Sequence, residues 1–256
     1  MKELKQLKVL AIGNSFSEDG MEYLYEIAKD YGLQTIVLGN LYIGGASLQD
    51  HVNQIDNNRS DYTYFKNTNN KWVGTSNVNI LTGLQDEPWD IITIQQASHY
   101  SGILESYDPF LEQLIQYVNT NKKNPNAKLV WHMTWAYQKD SDHEGFARYN
   151  NDQTTMYNRI VDVVQTRIVP SKEFLDIIPT GIAIQNLRTT TIGDTLTRDG
   201  FHLSFDKGRY CASLCWFHTL TRYPIDRIVF KPKGVTKQEQ KLIIEAVKQA
   251  VVNNFV

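Results

Sequence analysis

Short apolar runs alternate along this chain with longer stretches whose apolar residues recur every three or four positions. The first kind reads as buried strand and the second as amphipathic helix, and their alternation predicts a parallel sheet covered by helices. Strands are predicted at residues 8–12 (KVLAI), 34–38 (QTIVL), 90–94 (DIITI), 128–133 (KLVWHM) and 174–178 (FLDII). These runs are largely apolar on both faces, as strands lying between two helical layers must be. Helices are predicted at residues 19–29, with Met21, Leu24, Tyr25 and Ala28 inward, from about Leu48, and over residues 107–121, 151–167, 205–220 and 236–251. The last carries Leu242, Ile243, Ala246, Val247 and Val251 on one stripe, and Thr236 with Glu239 forms a capping box before it. The expected architecture is a three-layer α/β/α sandwich with a five-stranded, mainly parallel sheet, residues 1–256 forming one domain.

Between the second and third strands, DYTYFKNTNNKWVGT alternates aromatic and polar residues on either side of NTNN, the pattern of a β-hairpin inserted on the scaffold. Its rings could form a wall of a pocket or simply pack against one another at the surface. No internal repeat or low-complexity segment interrupts the alternation.

Composition narrows the function classes. A net charge of -2 over 256 residues gives no field suited to nucleic acid or an anionic membrane. No apolar run is long enough to span a bilayer. The opening MKELKQLKVLAIG enters the first strand without a separate apolar region, so no signal peptide is visible. A cytoplasmic place is expected for the sequence as written, and a periplasmic or secreted one if a leader has been trimmed. Five Trp and fourteen Tyr suit sugar faces as well as ordinary cores. Cys211 and Cys215, four apart on one helix face, are expected to be packing residues rather than a disulfide or a zinc site.

Two places carry candidate chemistry. The first strand runs into Gly13-Asn14-Ser15-Phe16-Ser17 and then an acidic helix start, which would place Ser15 at the carboxyl edge of the sheet, where ligands of open α/β folds bind. The same turn could instead be an N-cap or an anion-binding turn, although the glycine pattern of a dinucleotide site is missing. Near the other end, Asp199-Gly200-Phe201-His202 spaces a carboxylate and an imidazole so that one short loop can present both. A serine hydroxyl needs a base at neutral pH, and a carboxylate beside that base sets its tautomer.

Taken in order, Ser15 after the first strand, the Gly44-Gly45-Ala46-Ser47 turn after the second, and the Asp199/His202 pair before the last main helix resemble the SGNH (GDSL-like) hydrolase superfamily. The resemblance extends from Leu7 to about Leu220. It implies an SGNH-hydrolase, flavodoxin-like fold and a serine esterase in which Ser15 is the nucleophile, His202 the base and Asp199 its orienter. It also implies an oxyanion hole made by the backbone N–H of Ser15, that of Gly45, and a side-chain amide after the third strand. At that third place the family pattern GxND is replaced by Gln95-Gln96-Ala97-Ser98-His99, so Gln96 is the expected donor, with Gln95 and Ser98 as alternatives. This variant, with WDIITIQQAS and VWHMTWAY, resembles a bacterial branch known mainly as a domain of unknown function.

By position His99, Tyr100, Trp135 and Tyr137 would line the cleft, where their rings could stack on a sugar face or equally pack under a loop. His51 could face the cleft or cap its neighbours, His132 is expected to be buried and hydrogen-bonded, and His143 and His218 carry no motif. The substrate class implied is a small acyl ester on a polar carrier, such as an acetylated oligosaccharide, with no metal or organic cofactor needed. Thioesterase or lipase-type acyl hydrolysis, and a catalytically silent carbohydrate-binding protein on the same fold, are the competing expectations. Oligomeric state is left open.

Overall fold

A computed structural model describes residues 5–252. The five expected strands are present as β1 (Gln6–Gly13), β2 (Thr35–Tyr42), β5 (Ile91–Ile94), β6 (Lys128–His132) and β7 (Phe174–Ile178). They pair in parallel in the order β2-β1-β5-β6-β7. The sheet has seven strands rather than five. The expected hairpin, β3 (Tyr62–Asn67) and β4 (Trp72–Val78), is not a separate ribbon: β3 joins the free edge of β2 in antiparallel register, with Tyr42 opposite Thr63. The sheet is therefore mixed. An unpaired β2 edge would leave a row of backbone donors and acceptors exposed, and the hairpin passes that edge on to the largely solvent-exposed β4.

Helices cover both faces of the sheet. On one side α1 (Ser15–Met21), α2 (Leu24–Tyr31), α7 (Thr180–Arg188) and α9 (Lys237–Val252) gather around α8 (Lys207–Thr221). On the other, α3 (Leu48–Asp56) and α4 (Ile80–Asp86) pack on α5 (Phe110–Asn121), and α6 (Gln153–Val163) follows β6. The helix α8 is buried nearly all round, Cys211 and Cys215 included, because neighbours enclose it on every face; both thiols are free. On α9 the buried stripe is Ile243, Ala246, Val247 and Ala250, and Thr236 and Glu239 form the expected box.

The helix expected at residues 19–29 begins earlier and is broken in two. Ser213 of α8 reaches into the break, where its hydroxyl donates to the Gly20 carbonyl and accepts the Tyr23 N–H. That hydroxyl replaces the helical bonds lost there, so the chain can turn without leaving buried backbone groups unpaired. Helices α4 and α7 have weak periodicity and were not anticipated; α4 connects β4 to β5, and α7 follows the last strand, β7. No described helix is long and apolar enough to cross a membrane.

In this strand order the chain leaves β1 toward β2 on one side and the remaining parallel strands follow on the other. The crevice of such a fold lies past the carboxyl ends of the strands at this reversal, between β1 and β5. Ser15 follows β1 directly and Gln95-Gln96 follow β5, so the topology brings together segments far apart in sequence.

Candidate active site

Ser15 is the first residue of α1, capped by Asn14, whose Oδ1 accepts the Phe16 N–H at 2.9 Å. As a first-turn residue Ser15 has a backbone N–H without an intrahelical acceptor. Asn14 is buried and held from three sides: its Nδ2 donates to the Ala46 carbonyl at 3.0 Å, and its Oδ1 also accepts from Gln95 Nε2 at 2.9 Å. Gln95 Oε1 then faces His132 Nδ1 at 2.9 Å, and His132 Nε2 lies 3.1 Å from the Thr180 hydroxyl. Because Gln95 presents its oxygen, His132 must donate from Nδ1 and accept from Thr180 at Nε2. This buried row ties the serine turn to β5, β6 and the start of α7.

His202 is presented by a loop closed at its neck. Thr197 and Leu203 form an isolated antiparallel bridge, Arg198 N donates to the His202 carbonyl, and Ser204 N donates to the Leu196 carbonyl. Gly200 sits within the loop at φ +88°, a conformation that L side chains rarely adopt. Asp199 Oδ1 accepts the backbone N–H of His202 at 2.8 Å, while Oδ2 lies 2.6 Å from His202 Nδ1. A carboxylate only accepts, so Nδ1 carries the proton and Nε2 is free as a base. Nε2 lies 2.8 Å from Ser15 Oγ, which places serine, imidazole and carboxylate in one hydrogen-bonded row. Burial alone would raise the Asp199 pKa, but its hydrogen bonds from His202 outweigh it and hold the carboxyl below its ordinary value.

One residue that no sequence motif marks ties the two halves of this row. Asp19, on α1 one turn past Ser15 and 0% exposed, accepts from Leu203 N at 2.8 Å, Arg209 Nε at 2.7 Å and Arg198 Nη1 at 3.0 Å. It anchors the histidine loop and α8 to the serine helix.

The cleft above the row encloses about 420 Å³ and is bounded by Tyr42, Gly44 and Gly45 on one side and by Ser98, His99, Tyr100, His143, Arg148 and Phe201 on the other. Gly45 stands at φ +67° and would meet nothing with an added Cβ, so its conformation rather than crowding calls for glycine. His99 and Tyr100 line the cleft as expected. Trp135 does not: it is 0% exposed, stacks on Phe16 at 4.1 Å, and donates from Nε1 to the Phe201 carbonyl. It props the serine helix and the histidine loop from beneath instead of meeting ligand. Tyr137 is likewise buried, its hydroxyl 2.8 Å from Ser98 Oγ.

Gln96 is also turned away. Its Oε1 accepts from Leu48 N and Ala97 N, its Nε2 donates to Ser106, and it is absent from the cleft wall. With Gln95 committed to Asn14 and His132, Ser98 is the one of these three side chains that reaches the cleft. His143, given no role from sequence, closes the far wall: its Nδ1 accepts the Gly145 N–H, and its ring meets Phe201 edge-on at 4.6 Å. Its position in the long connection after β6, at the carboxyl edge of the sheet, was the available signal. Burial holds the pKa values of both His99 and His143 below the ordinary histidine value.

His51 is buried against Tyr62, 2.8 Å from its hydroxyl, and does not face the cleft. Burial pushes His51 down to about 4 and His132 down to about 3. Below about pH 6.5 the unfolded chain binds protons that these folded sites refuse, so stability should fall as pH falls through that window, by at most about 1.4 kcal/mol per pH unit for each histidine. Thermal unfolding between about pH 7 and pH 4 checks this. The melting temperature of His51→Gln should fall less steeply than that of wild type, and parallel slopes would refute the assignment.

Comparison with known proteins agrees with this architecture. A crystal structure of a DUF4886 family protein from Bacteroides uniformis ATCC 8492 is similar over 98% of this chain and 96% of its own, with 40% identity and a TM-score of 0.92. A proposed SGNH hydrolase from Slackia heliotrinireducens is similar over 84% of this chain and 98% of its own, at 18% identity and a TM-score of 0.57. An acetylxylan esterase from Geobacillus stearothermophilus is similar over 90% and 96%, at 13% identity and a TM-score of 0.51. At such identities the likeness is one of fold. No curated protein matches the sequence. The model of the family described as "Domain of unknown function (DUF4886)" matches residues 8–250, and the chain belongs to that family, with a fold like that of the SGNH hydrolase it resembles.

Proposed function

We propose that this chain is a serine esterase that cleaves a carboxylic ester through an acyl-serine intermediate, with O-acetylated carbohydrate as its substrate class. The observation that carries the proposal is the row Ser15 Oγ–His202 Nε2–Asp199, at 2.8 and 2.6 Å. Ser15 Oγ attacks the ester carbonyl as its proton passes to His202 Nε2, and Asp199 stabilises the imidazolium that forms. The tetrahedral intermediate collapses, the carbon–oxygen bond to the alcohol breaks, and His202 returns the proton to the leaving oxygen. Water then attacks the acyl-serine with His202 again as base, which frees the acid and restores Ser15. The oxyanion is held by the backbone N–H groups of Ser15 and Gly45, with the Ser98 hydroxyl replacing the expected Gln96 amide.

The substrate class rests on the cleft. Its walls combine rings that carry polar edges, His99, Tyr100 and His143, with the Arg148 guanidinium 5.0 Å above the Tyr100 ring. Such surfaces pair stacking area with donors for hydroxyl groups, and they offer little for a long acyl chain. The acetylxylan esterase of similar fold points the same way.

A fluorophosphonate reagent tests the nucleophile without knowledge of the natural ester. Intact-mass and peptide analysis should find one covalent adduct on Ser15, absent from Ser15→Ala and formed much more slowly in His202→Gln. An adduct elsewhere, or no adduct on the folded protein, would overturn the reading.

A further inference from the structure

The hairpin rings singled out in the sequence remain unused by the row at Ser15. They bound a second pocket of about 270 Å³, lined by Glu18, Glu22, Asn40, Phe65, Trp72 and Arg209. A pair of aromatic rings separates it from the cleft: Tyr42, which lines the cleft, meets Phe65 edge-on at 5.8 Å.

The pocket has a built polar floor. Asn40 is 2% exposed, and its amide oxygen lies 3.0 Å from Ser17 Oγ, while its amide nitrogen makes no hydrogen bond among the described residues. The Ser17 hydroxyl also lies 2.7 Å from the Asn14 carbonyl, its natural acceptor. Whichever way the amide is turned, one polar end is held by Ser17 and the other is left at the pocket wall. That end opens on the pocket rather than on the sealed interior, so a ligand hydroxyl can pair with it in place of water. The walls are aromatic. Trp72 pairs with Asn67, two residues beyond Phe65, so both rings share one face of the hairpin, and Gly74 opposite Phe65 leaves room for its ring.

The charge pattern narrows the occupant. Glu18 and Glu22 would attract a cation, but Arg209 already lies 3.6 and 3.2 Å from their carboxylates. The same carboxylates repel an anion, and together with the amide they make a poor seat for a purely apolar group. Stacking rings beside a mixed set of donors and acceptors suit a neutral, polyhydroxylated ring.

We infer that this pocket is a saccharide subsite, seating a neutral sugar ring on Phe65 and Trp72 while another ring of the same glycan presents its ester to Ser15. The link to Ser15 rests on the esterase reading; the sugar seat itself does not.

The test uses neutral xylo-, manno- and gluco-hexasaccharides, plain and O-acetylated, with the full chain. Plain hexasaccharide should bind Ser15→Ala saturably, and Trp72→Ala on that background should weaken binding by about tenfold, as loss of one aromatic anchor does. On the acetylated form Trp72→Ala should raise KM with kcat little changed, and p-nitrophenyl acetate hydrolysis should match wild type. Phe65→Leu, which keeps an apolar residue in the strand, guards against a folding defect in Trp72→Ala and should act in the same direction. Equal hexasaccharide KM in wild type and both variants, with p-nitrophenyl acetate still cleaved, would overturn the subsite and leave the esterase standing. Hexasaccharide binding that depends on Trp72, in a protein that cleaves no ester, would uphold the subsite and sink the esterase. Binding of a lysine-rich peptide there, with no saccharide bound, would also overturn the inference.

Discussion

Ser15→Ala is expected to lower p-nitrophenyl acetate turnover by a factor on the order of 10⁵–10⁶, with His202→Ala close behind and the double variant no worse than either. The equality follows from the geometry. Ser15 Oγ and His202 Nε2 share one proton at 2.8 Å, so removing either partner disables the same step. Asp199→Asn should cost about 10⁴, because an amide at that position can turn a donor toward Nδ1 and favour the wrong tautomer. Initial rates on purified variants with wild-type melting curves check all of this. A wild type that releases no nitrophenol, or single variants that keep full rate, would end the esterase reading. Effects that multiply in the double variant would show that the two residues do not act as a unit.

Asp19→Ala should destabilise the fold by about 1–3 kcal/mol, the cost of leaving the Leu203 N–H and the Arg209 Nε–H without their buried acceptor, although Glu18 and Glu22 still face the Arg209 guanidinium. Asp19 is fully buried, and the Arg209 side chain it faces is 8% exposed, so water cannot easily replace the lost carboxylate. The same substitution removes the acceptor of the Leu203 N–H, which sits immediately after His202. Two readouts should therefore move together. The urea midpoint should drop without a change in slope, and kcat of the folded variant should fall as the histidine loop loses its anchor. A stability change below about 1 kcal/mol would place Asp19 among weak surface pairs and remove its role as the tie between the two halves of the site.

The contrast between Asp199 and Asp19 shows how far sequence carried the site. Asp199 was legible because its work is local, three residues from His202, where spacing translates directly into geometry. Asp19 lies about 180 residues from its partners Arg198, Leu203 and Arg209, and no spacing rule connects them. Gln96 was misread for a related reason. Its chemistry matched the expected donor, but direction decides what an amide can do, and Leu48, Ala97 and Ser106 absorb both of its ends. Trp135 followed a strand at the right edge, yet Phe16 covers it. His143 was passed over because it carries no motif, although its loop leaves the sheet on the side of the cleft.

The sequence by itself determined the parallel strands, most of the framing helices and the order of the segments that carry Ser15, Gly45 and the Asp199/His202 pair. Those are written in hydrophobic period and short-range spacing, which depend on nearest neighbours along the chain. Only the tertiary structure decided that the hairpin extends the sheet, that Gln96 faces inward, and that Asp19 locks the histidine loop to the serine helix. Each of those depends on which distant backbone edge or charged group arrives beside a residue once the core closes, and burial then makes any unpaired alternative costly.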